Sequence, residues 1–169
     1  MKFKKIICWP PLLGGVGAGV TIAILAYITF QSTLSGTNYG LWLAASFGSS
    51  VVVVFGYPDN EFAQPKNVLF GHLLCALVGV IFVTLFKISQ DRSIFFLAIG
   101  IAVGISVTLM MALKITHPPA GVNTIVVMLI QDSFQFLIFP IMGGAVTIII
   151  GGMIYNRFIL KKKYPLKWF

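Results

Sequence analysis

The sequence predicts an all-α fold: a polytopic transmembrane bundle of about six membrane segments, the fifth of them short. Three observations carry this. First, 58% of the 169 residues are hydrophobic and only 9% are charged, with a mean hydropathy of +0.97. A soluble domain covers its surface with about 25% charged residues, so lipid is the solvent that suits this chain. Second, long apolar runs recur along the chain between short polar breaks, and no strand pattern interrupts them. Third, of the twelve basic residues, eight sit near the two ends: Lys2, Lys4, Lys5, Arg157, Lys161, Lys162, Lys163 and Lys167. They flank hydrophobic segments, as expected for the cytoplasmic ends of membrane helices. A nucleic-acid binder would instead spread basic groups over a folded face.

The first span is read at 11–30. Pro10 and Pro11 suit a helix start, because proline there gives up a donor that has no intrahelical partner. The lysines ahead of it resemble the start of a signal peptide. The stretch from Leu12 to Phe30 is about a full bilayer width, however, and Thr29-Phe30-Gln31 is a poor cleavage site, so a retained helix is expected. A polar, uncharged loop over 31–40 leads to a second span at 41–57. The loop YPDNEFAQPKN carries Asp59, Glu61 and Lys66 and leads into the third span, 66–86. After KISQDRS comes the fourth, 94–115, which ends at Thr116-His117-Pro118-Pro119. An apolar segment at 119–131 is short, and the last span, 135–159, runs into KKKYPLKWF. The whole chain, 1–169, reads as a single transmembrane domain.

The short segment sets the topology. From Pro118 to Gln131 it gives roughly 21 Å of helix, against a hydrocarbon core of about 30 Å. Two basic termini place both ends in the cytoplasm, which requires an even number of crossings. Six crossings satisfy this if the short helix crosses; four satisfy it if two weak segments re-enter. In either case the expected location is a bacterial-type inner membrane with both termini inside. Small residues recur at helical spacing: Gly15 with Gly19, Gly100 with Gly104, and Gly143 with Thr147 and Gly151. Such faces let membrane helices approach closely, within one subunit first and between copies of a homo-oligomer second.

Enzyme, metal and cofactor chemistry are not expected. The acids lie in loops, HExxH spacing is absent, and the two histidines are far apart in sequence. Ser49 and Ser50 lie mid-membrane with no motif marking a base beside them. Cys8 and Cys75 form no CxxC pattern, so neither a zinc site nor a disulfide framework is suggested.

What remains is a set of polar residues where polar residues are costly. Gln64, Lys66, Asn67 and His72 surround the start of the third span. Lys114, Thr116, His117 and Asn123 surround the start of the fifth. Such groups face a bundle interior or a water-filled cavity. Lys66 falls in the first helical turn after Pro65. It either snorkels to anionic headgroups or joins the free N–H groups of that turn in binding an anion. His117-Pro118-Pro119 ends one helix and starts the next, leaving the donors of Ala120, Gly121 and Val122 towards a cavity, a device that transporters use for anions. The other reading of this segment is a rigid turn. Lys114 closes the fourth helix, where a cation suits the dipole. His72 is either hydrogen-bonded structure or a proton relay. The stretch from Ala63 to Val68 can be laid over that from His117 to Val122, with one proline and the valine matching, which hints at an internal repeat.

Thr116-His117-Pro118-Pro119-Ala120-Gly121 resembles the signature of the HPP family of integral membrane proteins. Ser46-Phe47-Gly48-Ser49-Ser50 with Phe55-Gly56 is similar to that family's second helix. Ala63-Gln64-Pro65-Lys66-Asn67 followed by Gly71-His72-Leu73-Leu74 is similar to its central loop and third helix. The likeness runs from about residue 10 to 158. It implies a small α-helical membrane protein, and members from photosynthetic organisms have been linked to nitrite transport. The motif positions carried over are Gln64, Lys66, Asn67, His72, His117, Pro118, Pro119 and Gly121. The chain departs from the pattern at Ser50, where a small residue such as alanine is expected, and at Val122 and Asn123, where alanine and threonine are commoner. The resulting expectation is a transporter of a small inorganic anion, with nitrite first, bound near the AQPKN and HPPAG breaks. The other expectation is a membrane assembly or sensor component.

Overall fold

The structure is a computed structural model that describes residues 9–32, 39–84, 94–131 and 134–168. Lys2, Lys4, Lys5, Cys8, most of the 31–40 loop, the KISQDRS loop and Asp132 with Ser133 lie outside these residues. Among the described residues there are six α-helices and no strand: α1 (Trp9–Ser32), α2 (Tyr39–Gly56), α3 (Pro65–Thr84), α4 (Phe95–Ala112), α5 (Gly121–Ile130) and α6 (Gly143–Ile154). Four segments are long and apolar enough to cross a membrane: Pro11–Thr29, Pro65–Thr84, Phe95–Ala112 and Leu137–Ile159. The shorter apolar helices are Ser46–Gly56 and Pro118–Ile130. The chain is thus an all-α membrane bundle with a short fifth helix.

The last span departs from the expected single helix over 135–159. A π-helical turn at Leu137–Met142 precedes α6 and another at Tyr155–Ile159 follows it. The break lies at Phe139, which is extended (φ −139°, ψ 115°) just before Pro140. The proline ring disfavours helical geometry in the residue ahead of it.

The core lies where α2, α3, α5 and α6 meet, around Phe47, Val54, Val68, Val80, Val127 and Ile148. On α1, Leu12, Val16, Val20 and Ile24 recur every fourth residue and are exposed, so this apolar stripe is left uncovered by the rest of the chain, as suits a helix in lipid. Glycine sets the closest approach. A Cβ on Gly79 would stand 2.9 Å from the Thr124 carbonyl oxygen and 2.9 Å from Val127 Cβ, so α3 and α5 touch backbone to backbone there. Close packing inside one subunit was the first expectation for Gly15, Gly19, Gly100 and Gly104. The structure corrects it: a Cβ at any of these meets nothing within 4 Å. Gly14 and Gly17, which face Tyr155 and Phe55, make the close contacts of α1 instead. Gly151 behaves as expected and packs on Thr21.

Candidate functional site

Each polar break folds as a short 3₁₀ turn leading into a helix. Glu61–Ala63 precedes α3, and Pro118–Ala120 precedes α5. Asn60 starts the first turn by accepting the Phe62 N–H on its side-chain oxygen at 2.9 Å. The second turn begins at His117, which is extended, with proline in the positions where a lost donor matters least.

The two turns come together. Asn67 Nδ2 donates to the Thr116 carbonyl at 2.9 Å, across 49 positions of sequence. Gly71 admits the second turn onto α3: a Cβ there would lie 2.9 Å from His117 Cβ and 3.2 Å from the Ile115 carbonyl oxygen. The approach delivers His117 beside His72, with ring centroids 5.0 Å apart. Ser50 of α2 lies between them, its Oγ 2.8 Å from His72 Nε2 and 2.9 Å from His117 Nε2. At the outer ends, His117 Nδ1 is 2.7 Å from the Phe62 carbonyl oxygen, and Asn123 Nδ2 is 2.8 Å from His72 Nδ1. Phe47 covers His72 at a centroid distance of 4.6 Å. Ser50, His72 and His117 are fully buried, and Asn123 nearly so. Four elements thus meet in one polar chain inside an apolar bundle.

Both histidines and Asn123 were expected at the site from the sequence; Ser50 was noted only as a mid-membrane serine and a departure from the family pattern. Ser50 and His72 are 22 positions apart, and Ser50 and His117 are 67 apart. No spacing rule reaches across three helices. The one signal was a serine in a membrane helix on the same polar level as the two breaks.

The other expected residues separate from this chain. Gln64 is buried and holds its own loop: Nε2 donates to the carbonyls of Pro58 and Asn60, each at 2.9 Å. Its Oε1 accepts from the Leu166 N–H at 2.8 Å and the Lys167 N–H at 3.3 Å, fastening the C-terminal tail. Tyr164 completes that dock by donating from its hydroxyl to the Ala63 carbonyl at 2.6 Å. Replacing Gln64 by leucine removes the acceptor for both tail amides. Amide hydrogen exchange at Leu166 is expected to speed up by about fivefold, the effect of losing roughly 1 kcal/mol of hydrogen bonding.

Lys66 is half-buried in the first turn of α3, and no hydrogen bond or ion pair engages its side chain among the described residues. Lys114 is exposed and stands outside the cluster. It occupies the left-handed position after α4 (φ 54°), where the Lys114 N–H reaches the Met111 carbonyl and the Ile115 N–H reaches that of Met110. This is the turn that closes a helix with a left-handed residue, so Lys114 shapes the approach to His117 by its backbone. Ala120 and Gly121 differ from expectation in one respect. The Ala120 N–H is taken by the His117 carbonyl and that of Gly121 by the Pro118 carbonyl, so neither donor stands free. At the start of α3, Pro65 has no N–H. The N–H groups of Lys66 and Asn67 precede the first intrahelical bond and have no backbone partner among the described residues.

His117 lies in the turn between α4 and α5. Burial pushes its pKa down to about 4, partly offset by its bond to the Phe62 carbonyl, so it is neutral near pH 7. It therefore offers hydrogen bonds rather than a fixed positive charge; Lys66, in the first turn of α3 next to Asn67, is a half-buried cation close to that pairing in sequence. A cavity of about 470 Å³ lies elsewhere, between α1, α2 and the tail, lined by residues such as Ala18, Val52, Phe55 and Lys162. Its mostly apolar wall suits hydrocarbon better than an oxyanion, and none of the polar chain lines it.

A family model described as "HPP, transmembrane region" matches residues 6–165. A transmembrane protein of Dictyostelium discoideum is 35% identical over 152 residues, which is 87% of this chain and 52% of that protein. A second transmembrane protein of that organism is 29% identical over 154 residues, covering 88% of this chain and 48% of its own length. The chain therefore spans about half the length of these relatives. No solved structure matches it. With its helical bundle, its apolar spans and the motif residues brought together at two paired turns, the chain belongs to the HPP transmembrane family.

Proposed function

We propose that this membrane protein transports a small inorganic anion, nitrite or an oxyanion of its size, rather than catalysing a reaction. The observation that carries the reading is the meeting of the two polar breaks. Lys66 and the free N–H groups of the first α3 turn stand on one side, and the His117 turn stands against them through Asn67. A helix N-terminus attracts negative charge through its unpaired donors and its dipole. A lysine in the same turn adds a full positive charge, and the surrounding apolar bundle lowers the screening. The buried histidines and Ser50 lie further along α3 and at the same paired turns, and they offer hydrogen bonds without net charge. Passage through neutral polar groups keeps the anion from being held too tightly to leave. Both termini are read as cytoplasmic, in a bacterial-type inner membrane, which puts the entrance on the cytoplasmic side.

The test is nitrite uptake into proteoliposomes that contain this protein alone. Uptake above that of empty vesicles across an imposed gradient is the expected result. Lys66→Gln should lower it by about tenfold, as loss of roughly 1.4 kcal/mol of attraction implies. Equal uptake by empty and protein-containing vesicles would sink the reading.

A further inference from the structure

The structure assigns to Ser50, His72 and His117 a one-proton binding site in which the Ser50 hydroxyl swivels between His117 and the Ser46 carbonyl. The Phe62 carbonyl can only accept, so His117 Nδ1, 2.7 Å away, carries a hydrogen. Asn123 Nδ2 can only donate, so His72 Nδ1, 2.8 Å away, is bare and its hydrogen lies on Nε2. With both rings neutral, His117 Nε2 is then bare as well and needs a donor, which the Ser50 hydroxyl supplies at 2.9 Å. Ser50 Oγ in turn accepts from His72 Nε2–H at 2.8 Å. Every bond points the same way, from Asn123 through His72, Ser50 and His117 to Phe62. The two histidines hold opposite tautomers.

Now add one proton. It binds at His117 Nε2, forming one N–H bond and leaving a single positive charge. His117 and His72 then both donate to Ser50 Oγ, whose two lone pairs accept them. The Ser50 O–H turns away to the Ser46 carbonyl oxygen, already 3.0 Å from Oγ. Each of the three side chains keeps its hydrogen bonds in both states, as buried polar groups require. A second proton is opposed by like charge, since the rings are 5.0 Å apart. Among the described residues no other titratable group bonds to either ring. On the packed elements the candidates are Cys75 on α3, whose Sγ contacts Met110, and, at the turns, Asp59, Glu61, Lys66, Lys114 and Tyr164, which bonds to the Ala63 carbonyl. The elements α2 and α5 present serine, asparagine and threonine.

This deepens the transport reading and rests on it for its purpose: an anion at the Lys66 entrance would favour the proton, and the proton the anion, by the same factor. The binding site itself is tested apart from transport. The chain has two histidines, so ¹⁵N-histidine spectra of this chain report this site alone, with His72→Gln and His117→Gln assigning the signals. Near neutral pH, one ring should be protonated at Nδ1 (His117) and the other at Nε2 (His72). On acidification, His117 should become doubly protonated while His72 stays neutral. Ser50→Ala should move the His117 midpoint down by at least one pH unit, about a tenfold loss of proton affinity. Ser50→Thr, which keeps the hydroxyl, should restore it. Like tautomers in the wild-type spectrum, first protonation at His72, or an unmoved midpoint in a folded Ser50→Ala protein would overturn the assignment. Absence of nitrite uptake with these spectra intact would count against the transport reading and leave the proton site standing.

Discussion

Replacing Gly71 by alanine is expected to destabilise the protein by about 2 kcal/mol, the usual cost of forcing one extra carbon into a packed contact. It should also reduce anion uptake by about tenfold or more. The new Cβ would press on His117 Cβ at 2.9 Å and on the Ile115 carbonyl at 3.2 Å. Neither is the free end of a flexible side chain, so the turn carrying His117 must lift from α3. Lifting it stretches the Ser50–His117 and Asn67–Thr116 bonds together. Thermal melting in detergent gives the first number and proteoliposome uptake the second. Gly100 offers the control. A Cβ there meets nothing within 4 Å, so Gly100→Ala should melt no lower than the parent, since alanine is the better helix former. If Gly71→Ala matched that control in melting and uptake, the docking of the His117 turn on α3 would not be what holds the site.

His72→Leu is expected to cost about 2–3 kcal/mol. Leucine fills much of the volume but strips a partner from both Ser50 and Asn123, and a buried polar group without a partner costs about 1–3 kcal/mol. The penalty is in the orphaned partners, so removing one of them as well should relieve part of it. His72→Leu combined with Asn123→Leu should be less destabilised than the sum of the single changes, with a coupling of about 1 kcal/mol. Purely additive melting shifts would mean that the 2.8 Å contact between Asn123 and His72 carries little energy.

Much of this architecture is legible in the residues. The apolar runs give the six helices, because burying or lipidating that much hydrocarbon leaves few alternatives. The prolines at 65 and 118 mark the helix starts, because a missing N–H is harmless only there. The departures have local causes. The interruption ahead of α6 comes from one proline acting on Phe139, inside a run that otherwise reads as continuous helix. Gly15, Gly19, Gly100 and Gly104 keep the spacing of a packing face, but spacing does not say which way a face turns, and here it turns outward. Ala120 and Gly121 were expected to offer free donors, but a 3₁₀ turn closes on both. The role of Ser50 was missed for a different reason. Its meaning comes from two rings delivered by separate helices, and that convergence belongs to tertiary structure. Gln64 and Asn67 were expected as ligands by their position. The structure places them as ties, one to the C-terminal tail and one to the Thr116 turn.

The central claim is that an anion reaches the place where the two turns meet. Titrating nitrite into ¹⁵N-histidine-labelled protein tests it most directly, because His117 and His72 are the only rings that report. A saturable shift of the His117 resonances is expected, with a smaller response at His72, reduced when Lys66 is replaced by glutamine. Nitrite uptake that proceeds while both rings stay unmoved would place the route elsewhere in the bundle and contradict it.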